Sequence, residues 1–327
     1  MPGVTRRTNL AMLAALLGLL AAAPARAEES FAGWLTGLRH EALKHGISRQ
    51  TLDRALQGIE ILPAVIEADR RQPETRLSFA EYRRRVVNDR RVATGRELLA
   101  RHRDLLSRVE ARYHVPAEVI VALWGMESNF GERQGGYPVL AALATLAYEG
   151  RRASFFRKEL LGALEIVERG HIEPELMQGS WAGAMGQNQF MPSTYLGYAV
   201  DFDGDGRRDI WRSLPDVFAS TANYLARAGW DGRYIWGREV LVPDGFVDGR
   251  SGLDHRASLA DWSQRGIRLP DGSSLPRASI QASLLRMDGG EAGSFLAYAN
   301  FRALMAWNRS TYFGVSVGLL ADSLRDG

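Results

Sequence analysis

The stretch "VPAEVIVALWGME", residues 115 to 127, is what this chain has to fold around. Pro116 suits a first helical turn, and the residues after it are apolar almost all round. A helix with no polar face cannot lie on a surface, so other elements must cover it on every side. The 327-residue chain has no cysteine, so no disulfide can stand in for that core. The cover is legible on both sides. From Ser30 to about Leu106 the patterns are helical, as in "FAGWLTGLRHEALKHG", with apolar residues at three-to-four spacing and a terminal Gly. "YPVLAALATLAYEG" and "RASFFRKELLGALEIVERG" are two further helices, each closed by a Gly. The chain is therefore mainly α, with a helical heart over 110 to 230. After Trp230, short β-leaning runs are broken by Pro, Gly and Asp-Gly turns, which predicts a small β-rich insertion over 233 to 290. "SFLAYANFRALMAWNRSTYFGVSVGLLADSL" then returns to helix and packs back on the heart.

The first 27 residues stand outside that fold. Arg6 and Arg7 precede the apolar run "AMLAALLGLLAAAP", and "ARA" at 25 to 27 gives a small-x-small cleavage signal after Ala27. The Arg-Arg pair fits the twin-arginine route as well as the general one. With no cysteine there is no lipid-modified N-terminus, and no later stretch is long and apolar enough to span a membrane. The expectation is a soluble periplasmic protein. Export also changes the charge. The chain has 41 Lys+Arg against 38 Asp+Glu, but Arg6, Arg7 and Arg26 leave with the signal and no acid does. The mature chain is formally neutral, which argues against nucleic acid as a partner. The runs "RRR" at 83 to 85 and "RR" at 90 to 91 read as solvated helix faces.

Glu127 ends the apolar helix. Its ordinary reading is a partly exposed side chain at a helix end. The other reading is that the helix exists to desolvate it. Leu123 and Trp124 lie one turn back on the same face. Lost hydration and the C-terminal end of the helix dipole both favour the neutral carboxyl. A protonated Glu near neutral pH is what a general acid for glycosidic cleavage needs. Most glycoside hydrolases add a second carboxylate, roughly 5 to 9.5 Å away. The nearby acids Glu132 and Glu149 have no comparable apolar setting. One carboxylate suffices if the substrate supplies its own nucleophile.

"GSWAGAMGQNQFMPSTYLGYAVDFDGDG", 179 to 206, holds two signals. Its small residues let backbone approach a ligand, and Ser180 and Gln189 could bond a sugar, although small-residue helix packing explains the string about as well. The second half is sharper. Asp201, Asp203 and Asp205 stand at positions 1, 3 and 5 of an EF-hand-like loop, with Gly206 at position 6 and the Arg207 carbonyl at 7. Arg212 occupies position 12, where a bidentate Glu is expected. Asp216 is the best replacement and Asp209 the second. One such loop in a helical protein points to structural Ca²⁺, against the plainer reading of a solvated Asp-Gly turn.

These segments together resemble the lytic murein transglycosylase B family, periplasmic enzymes that cut the glycan strands of peptidoglycan. "ALWGMESNFG" is similar to the family's catalytic segment and "YPVLAALATLAYEGRRASFFRKEL" to the helices after it. "GSWAGAMGQNQFMPSTY" resembles the glycan-cleft segment and "DFDGDGRRDIW" the metal loop. "DRRVATG", "GWDGRYIWGREVLVP" and "DWSQRGIRLPDGSSLP" match as well, so the likeness runs from about Phe31 to the C-terminus. It implies a lysozyme-like helical core (110–232 and 291–327), an N-terminal helical part (28–109) and the small β insertion. It puts the acid/base at Glu127 and glycan contacts at Ser180, Gln189, Tyr224 and Asn300. The metal ligands map to Asp201, Asp203, Asp205, the carbonyl of Arg207, and Asp216, which sits one residue late. Some members carry a further peptidoglycan-binding domain, and none is expected before Gly327.

The implied reaction needs one carboxyl. Glu127 protonates the oxygen between N-acetylmuramic acid and N-acetylglucosamine, then takes the proton of the muramoyl C6 hydroxyl as that oxygen attacks C1. The product is a 1,6-anhydro sugar. The alternatives are a lysozyme-type hydrolase, which would use water, and a non-catalytic Ca²⁺-stabilised peptidoglycan-binding module. Glycan strands are the expected partner. Proteins of cell-wall synthesis or remodelling are further partners, none identified by the residues.

Overall fold

A computed structural model describes residues 30–71, 77–149, 151–246, 249 and 251–325. The expected signal at 1–27 lies outside the described residues. Three short helices come first: α1 (Phe31–Lys44), α2 (Arg49–Ala55) and α3 (Pro63–Arg70). Next are α4 (Phe79–Val86), α5 (Asp89–Arg101) and α6 (Arg103–Tyr113). The apolar run before Glu127 is α7 (Ala117–Ser128), buried continuously from Val119 to Gly125. A two-residue strand β1 (Tyr137–Pro138) leads into α8 (Val139–Glu149), buried from Val139 to Ala147. Then follow α9 (Ala153–Glu168), β2 (Gln178–Gly179), which pairs antiparallel with β1, α10 (Pro192–Tyr198) and α11 (Leu214–Arg227).

Two almost wholly buried helices cannot share one face, and each anchors its own core. Around α7 pack residues of α4, α6 and α11, among them Phe79, Val109 and Phe218. Around α8 pack α1, α2, α3 and α9 with Tyr195, Ile210 and Trp211. Tyr224 and Trp307 pack against both cores and so lie on the seam between them. Sites form preferentially on seams of this kind, where concave surface remains after each core has closed.

The β-rich part is a four-stranded antiparallel sheet in the order β3-β6-β5-β4. Its strands are β3 (Gly237–Val240), β4 (Ala257–Ser258), β5 (Gln281–Arg286) and β6 (Ser294–Ala297), and α12 (Leu259–Gln264) follows β4. The sheet is a shared wall. Leu284 and Leu296 face a third cluster with Trp262 and Ile267, whereas Leu285, Phe295 and Ala297 face the α7 core. That alternation is the period of two expected of strands covered on both sides. Here the sequence reading needs correcting, because "SFLA" at 294 to 297 was assigned to the returning helix. A four-residue apolar run fits either state, and pairing with both β3 and β5 decides it. Helix resumes only at α13 (Phe301–Trp307), followed by α14 (Thr311–Arg325), whose Phe313 to Leu324 return to the α7 core. Among the described residues, no helix is long and apolar enough to cross a membrane.

Candidate active site

Glu127 sits in the last turn of α7. The helix stops at Asn129 (φ 51°), and Phe130 (φ 60°) and Gly131 (φ 86°) stay left-handed. Two non-glycine residues in that region are strained, and such strain persists only where the surroundings hold it. At Gly131 the packing is tight as well, since a Cβ there would lie 2.4 Å from Oε1 of Gln187. That oxygen accepts from Nε1 of Trp124 at 2.7 Å, so loop and helix are tied together.

Trp307 Nε1 donates to Glu127 Oε1 at 2.6 Å. The sequence reading set Trp124 against the carboxyl. Instead, the ring of Trp124 packs on Phe130, Phe218 and His102, and the indole bonded to Glu127 comes from the end of α13. Trp307 is held in turn by Phe190 (ring centroids 5.2 Å apart) and Tyr224 (4.9 Å). Tyr224 Oη donates to the Ala306 carbonyl at 2.6 Å, pinning the last turn of α13. Glu127 keeps a partial opening to solvent, yet the protein crowded about its carboxyl pushes the pKa up to about 7, against the opposing pull of the Trp307 hydrogen bond. No second acid contributes to that shift. Glu132 is exposed and accepts from Asn129 Nδ2, and Glu149 is exposed at the end of α8. Tyr82 on α4 also belongs here: its phenol is pushed up first by burial and then by Glu127.

The sequence-predicted contacts divide. Gln189 lies close by, next to Phe190 and itself left-handed (φ 51°), with Nε2 donating to the carbonyls of Gln134 (3.0 Å) and Gly186 (2.8 Å). Its own carbonyl oxygen is the atom left to meet a ligand. Ser180 is half-buried and its Oγ accepts from the Ala184 N–H at 3.0 Å, closing the turn beyond β2. Tyr224 joins Tyr198 and Trp307 in a half-buried aromatic wall suited to stacking on sugar faces, with the buried Phe190 behind it. Asn300 does not face the cleft. It is 0% exposed, its Nδ2 donates to the carbonyls of Asp231 and Tyr234, and its Oδ1 accepts from the Asp231 N–H. With every polar atom committed to backbone, it braces the loop before β3, and the expectation of a glycan contact is corrected accordingly. Sequence reasoning missed Trp307, and nothing in "MAWNRS" marks its indole as a carboxyl's partner.

The aspartate loop is in place. Ligand oxygens of Asp201, Asp203 and Asp205 lie within 4.8 Å of one another, and all three residues are exposed. Asp201 accepts from the N–H groups of Gly204 and Gly206, Asp205 from that of Arg207, and Asp203 from Ser213 Oγ at 2.6 Å. Asp216 stands apart from the three. Fully buried in the first turn of α11, it accepts from the N–H groups of Phe202 and Asp209, both at 2.7 Å, and so holds the loop from inside. Asp209 is engaged with the N–H groups of Trp211 and Arg212. Three carboxylates so close repel one another, and an all-oxygen set of this kind fits a hard divalent cation.

A family model described as the transglycosylase SLT domain matches residues 30–322. The chain belongs to that family. This transglycosylase is 47% identical to SltB3 of Pseudomonas aeruginosa, solved in complex with NAG-NAM-pentapeptide, with a TM-score of 0.89 over 91% of this chain and 80% of that one. It is 33% identical over 296 residues to the membrane-bound lytic murein transglycosylase B of Escherichia coli (strain K12), covering 86% of this chain and 79% of that one. Slt35 of E. coli, solved in complex with calcium, is 30% identical with a TM-score of 0.77, over 91% of this chain and 94% of that one. The transglycosylase is thus a peptidoglycan lytic transglycosylase with the mainly helical, lysozyme-like fold of its relatives.

Proposed function

We propose that Glu127 is the single acid/base of this enzyme and that it cuts the β-1,4 bond between N-acetylmuramic acid and N-acetylglucosamine. The observation that carries the reading is a carboxyl with a pKa of about 7, bonded to Trp307 at 2.6 Å with no second acid contributing. Near neutral pH such a group is present in both forms, as a residue that must first give and then take a proton requires. In the first half Glu127 passes its proton to the glycosidic oxygen as the bond from that oxygen to the muramoyl C1 breaks. In the second, the muramoyl O6 bonds to C1 and its proton returns to Glu127. Atoms balance with no water consumed. The nucleophile belongs to the substrate and is intramolecular, so a second protein carboxylate is not needed.

Tyr224 and Trp307 offer a stacking wall backed by the buried Phe190, and Gln189 and Ser180 are the proposed polar contacts. The cluster of Asp201, Asp203 and Asp205 would hold Ca²⁺ in a structural role, tying the loop to α11 through Asp216. The N-terminal signal features of the sequence support a periplasmic location for the mature enzyme. Mass analysis of fragments released from purified sacculi tests the chemistry: 1,6-anhydromuramoyl ends are expected. Free reducing ends would instead assign the enzyme to the lysozyme-type hydrolases.

A further inference from the structure

Four arginines surround a pocket that the reaction leaves unused. Arg85 lies in the last turn of α4, Arg90 and Arg91 open α5, and Arg133 follows the left-handed turn after Glu127. With Asn129 and Glu132 they line a polar cavity of about 260 Å³. The sequence reading took "RRR" and "RR" as solvated helix faces, but the fold gathers one arginine of the first run and both of the second around a single hollow.

The charge there is unbalanced. Among the described residues none of the four arginines forms an ion pair. The one acid in the wall, Glu132, accepts from Asn129 Nδ2. Arg91 is half-buried, spends Nη1 on the Val86 carbonyl (2.6 Å) and Nη2 on Asn129 Oδ1 (3.2 Å), and has a buried Nε with no acceptor. Burial, then the charge of Arg133, lowers its pKa. Converging guanidinium groups with spare donors are built for an anion, and their planar forks suit carboxylates.

We propose that this pocket binds a carboxylate of the peptide carried by the muramoyl residue being cleaved. The proposal rests on the glycan reading above. Asn129 in the pocket wall is two residues beyond Glu127, so their Cα atoms are at most about 8 Å apart. An extended peptide gains about 3.3 Å per residue, so the carboxylates of a pentapeptide hanging beside the cleaved bond fall within reach. Tyr82 supports the adjacency, since its phenol feels both Glu127 and Arg91. The acid and the pocket therefore read one substrate at two points. Glu127 acts on the glycan, and the arginines select strands whose peptides keep free acid groups.

The test uses the full chain carrying Glu127→Gln, which binds without turnover. Its affinity is measured by calorimetry for a GlcNAc-MurNAc-pentapeptide with free carboxylates and for the same molecule fully amidated. The free acid should bind about tenfold more tightly, with a margin that shrinks as salt is added. Adding Arg90→Gln and Arg133→Gln should erase the margin, and Arg90→Lys with Arg133→Lys should keep part of it. A margin that survives the glutamine pair, or is absent from the start, overturns the proposal. Displacement of the free-acid ligand by an equal concentration of inorganic phosphate also overturns it, marking a phosphate site. If neither ligand binds, the glycan reading fails and this proposal with it.

Discussion

A carboxyl that titrates near pH 7 ties the activity of this enzyme to its stability. In the proposed mechanism Glu127 must be protonated in the free enzyme, so kcat/KM should fall as pH rises through about 7. Trp307 sets where the fall lies. Its Nε1–H favours the carboxylate, and Trp307→Phe keeps the ring but removes the donor. A hydrogen bond to a charged group contributes about 1.5–3 kcal/mol, so the basic limb should move up by about one to two pH units. A limb that stays or moves down would refute this tuning. Glu127→Gln should lower activity on sacculi by orders of magnitude, whereas Glu132→Gln, on an exposed side chain, should be mild. The first substitution should also stabilise the protein at high pH. The native pKa is raised, so the folded state holds its proton through a range where the unfolded chain has lost it. Stability from this group is full below about 4.5 and is lost as pH rises to about 7. Glutamine does not titrate, so by pH 8 the variant should be more stable by on the order of 3 kcal/mol, and near pH 4 the difference should close. Urea unfolding at the two pH values measures both ends.

Among the elements, α14 shows how packing overrides propensity. Gly318 lies inside this helix, where alanine would ordinarily be better by about 1 kcal/mol. A Cβ there would stand 2.2 Å from the indole of Trp236, whose Nε1 donates to Asp322 at 2.9 Å and fixes the ring. Overpacking costs about 1–3 kcal/mol, so Gly318→Ala should lower the melting temperature by a few degrees. The aspartate loop should respond to Ca²⁺ if it holds the ion as proposed. Melting temperature should rise with free Ca²⁺ and drop on chelation, and Asp203→Ala with Asp205→Ala should abolish the dependence. Turnover at low temperature should survive chelation, because the proposed chemistry needs only Glu127 and the sugar. Turnover lost at once, with melting unchanged, would make the metal catalytic. These elements also show what a sequence can carry. The buried helix α7 and the aspartate loop are legible because periodicity and 1-3-5 spacing are local. β6 was misread because "SFLA" carries no period, and only its pairing with β3 and β5 makes it a strand. Asn300 keeps its place in a familiar motif, yet its burial against the 231–234 loop is a tertiary fact that no local pattern announces.

At the scale of the whole molecule, the reactive centre belongs to no single core. α7 supplies the acid, the 179–190 segment and α11 supply part of the wall, and α13 supplies the indole. The bond between Glu127 and Trp307 spans 180 residues. Protein synthesis runs from one end, so the acid leaves the ribosome 180 residues before its partner. A chain halted between residues 127 and 306 carries the carboxyl but not the donor that tunes it. The order of the residues along the chain thus sets the order in which the site can assemble, with the acid present before the donor that tunes it.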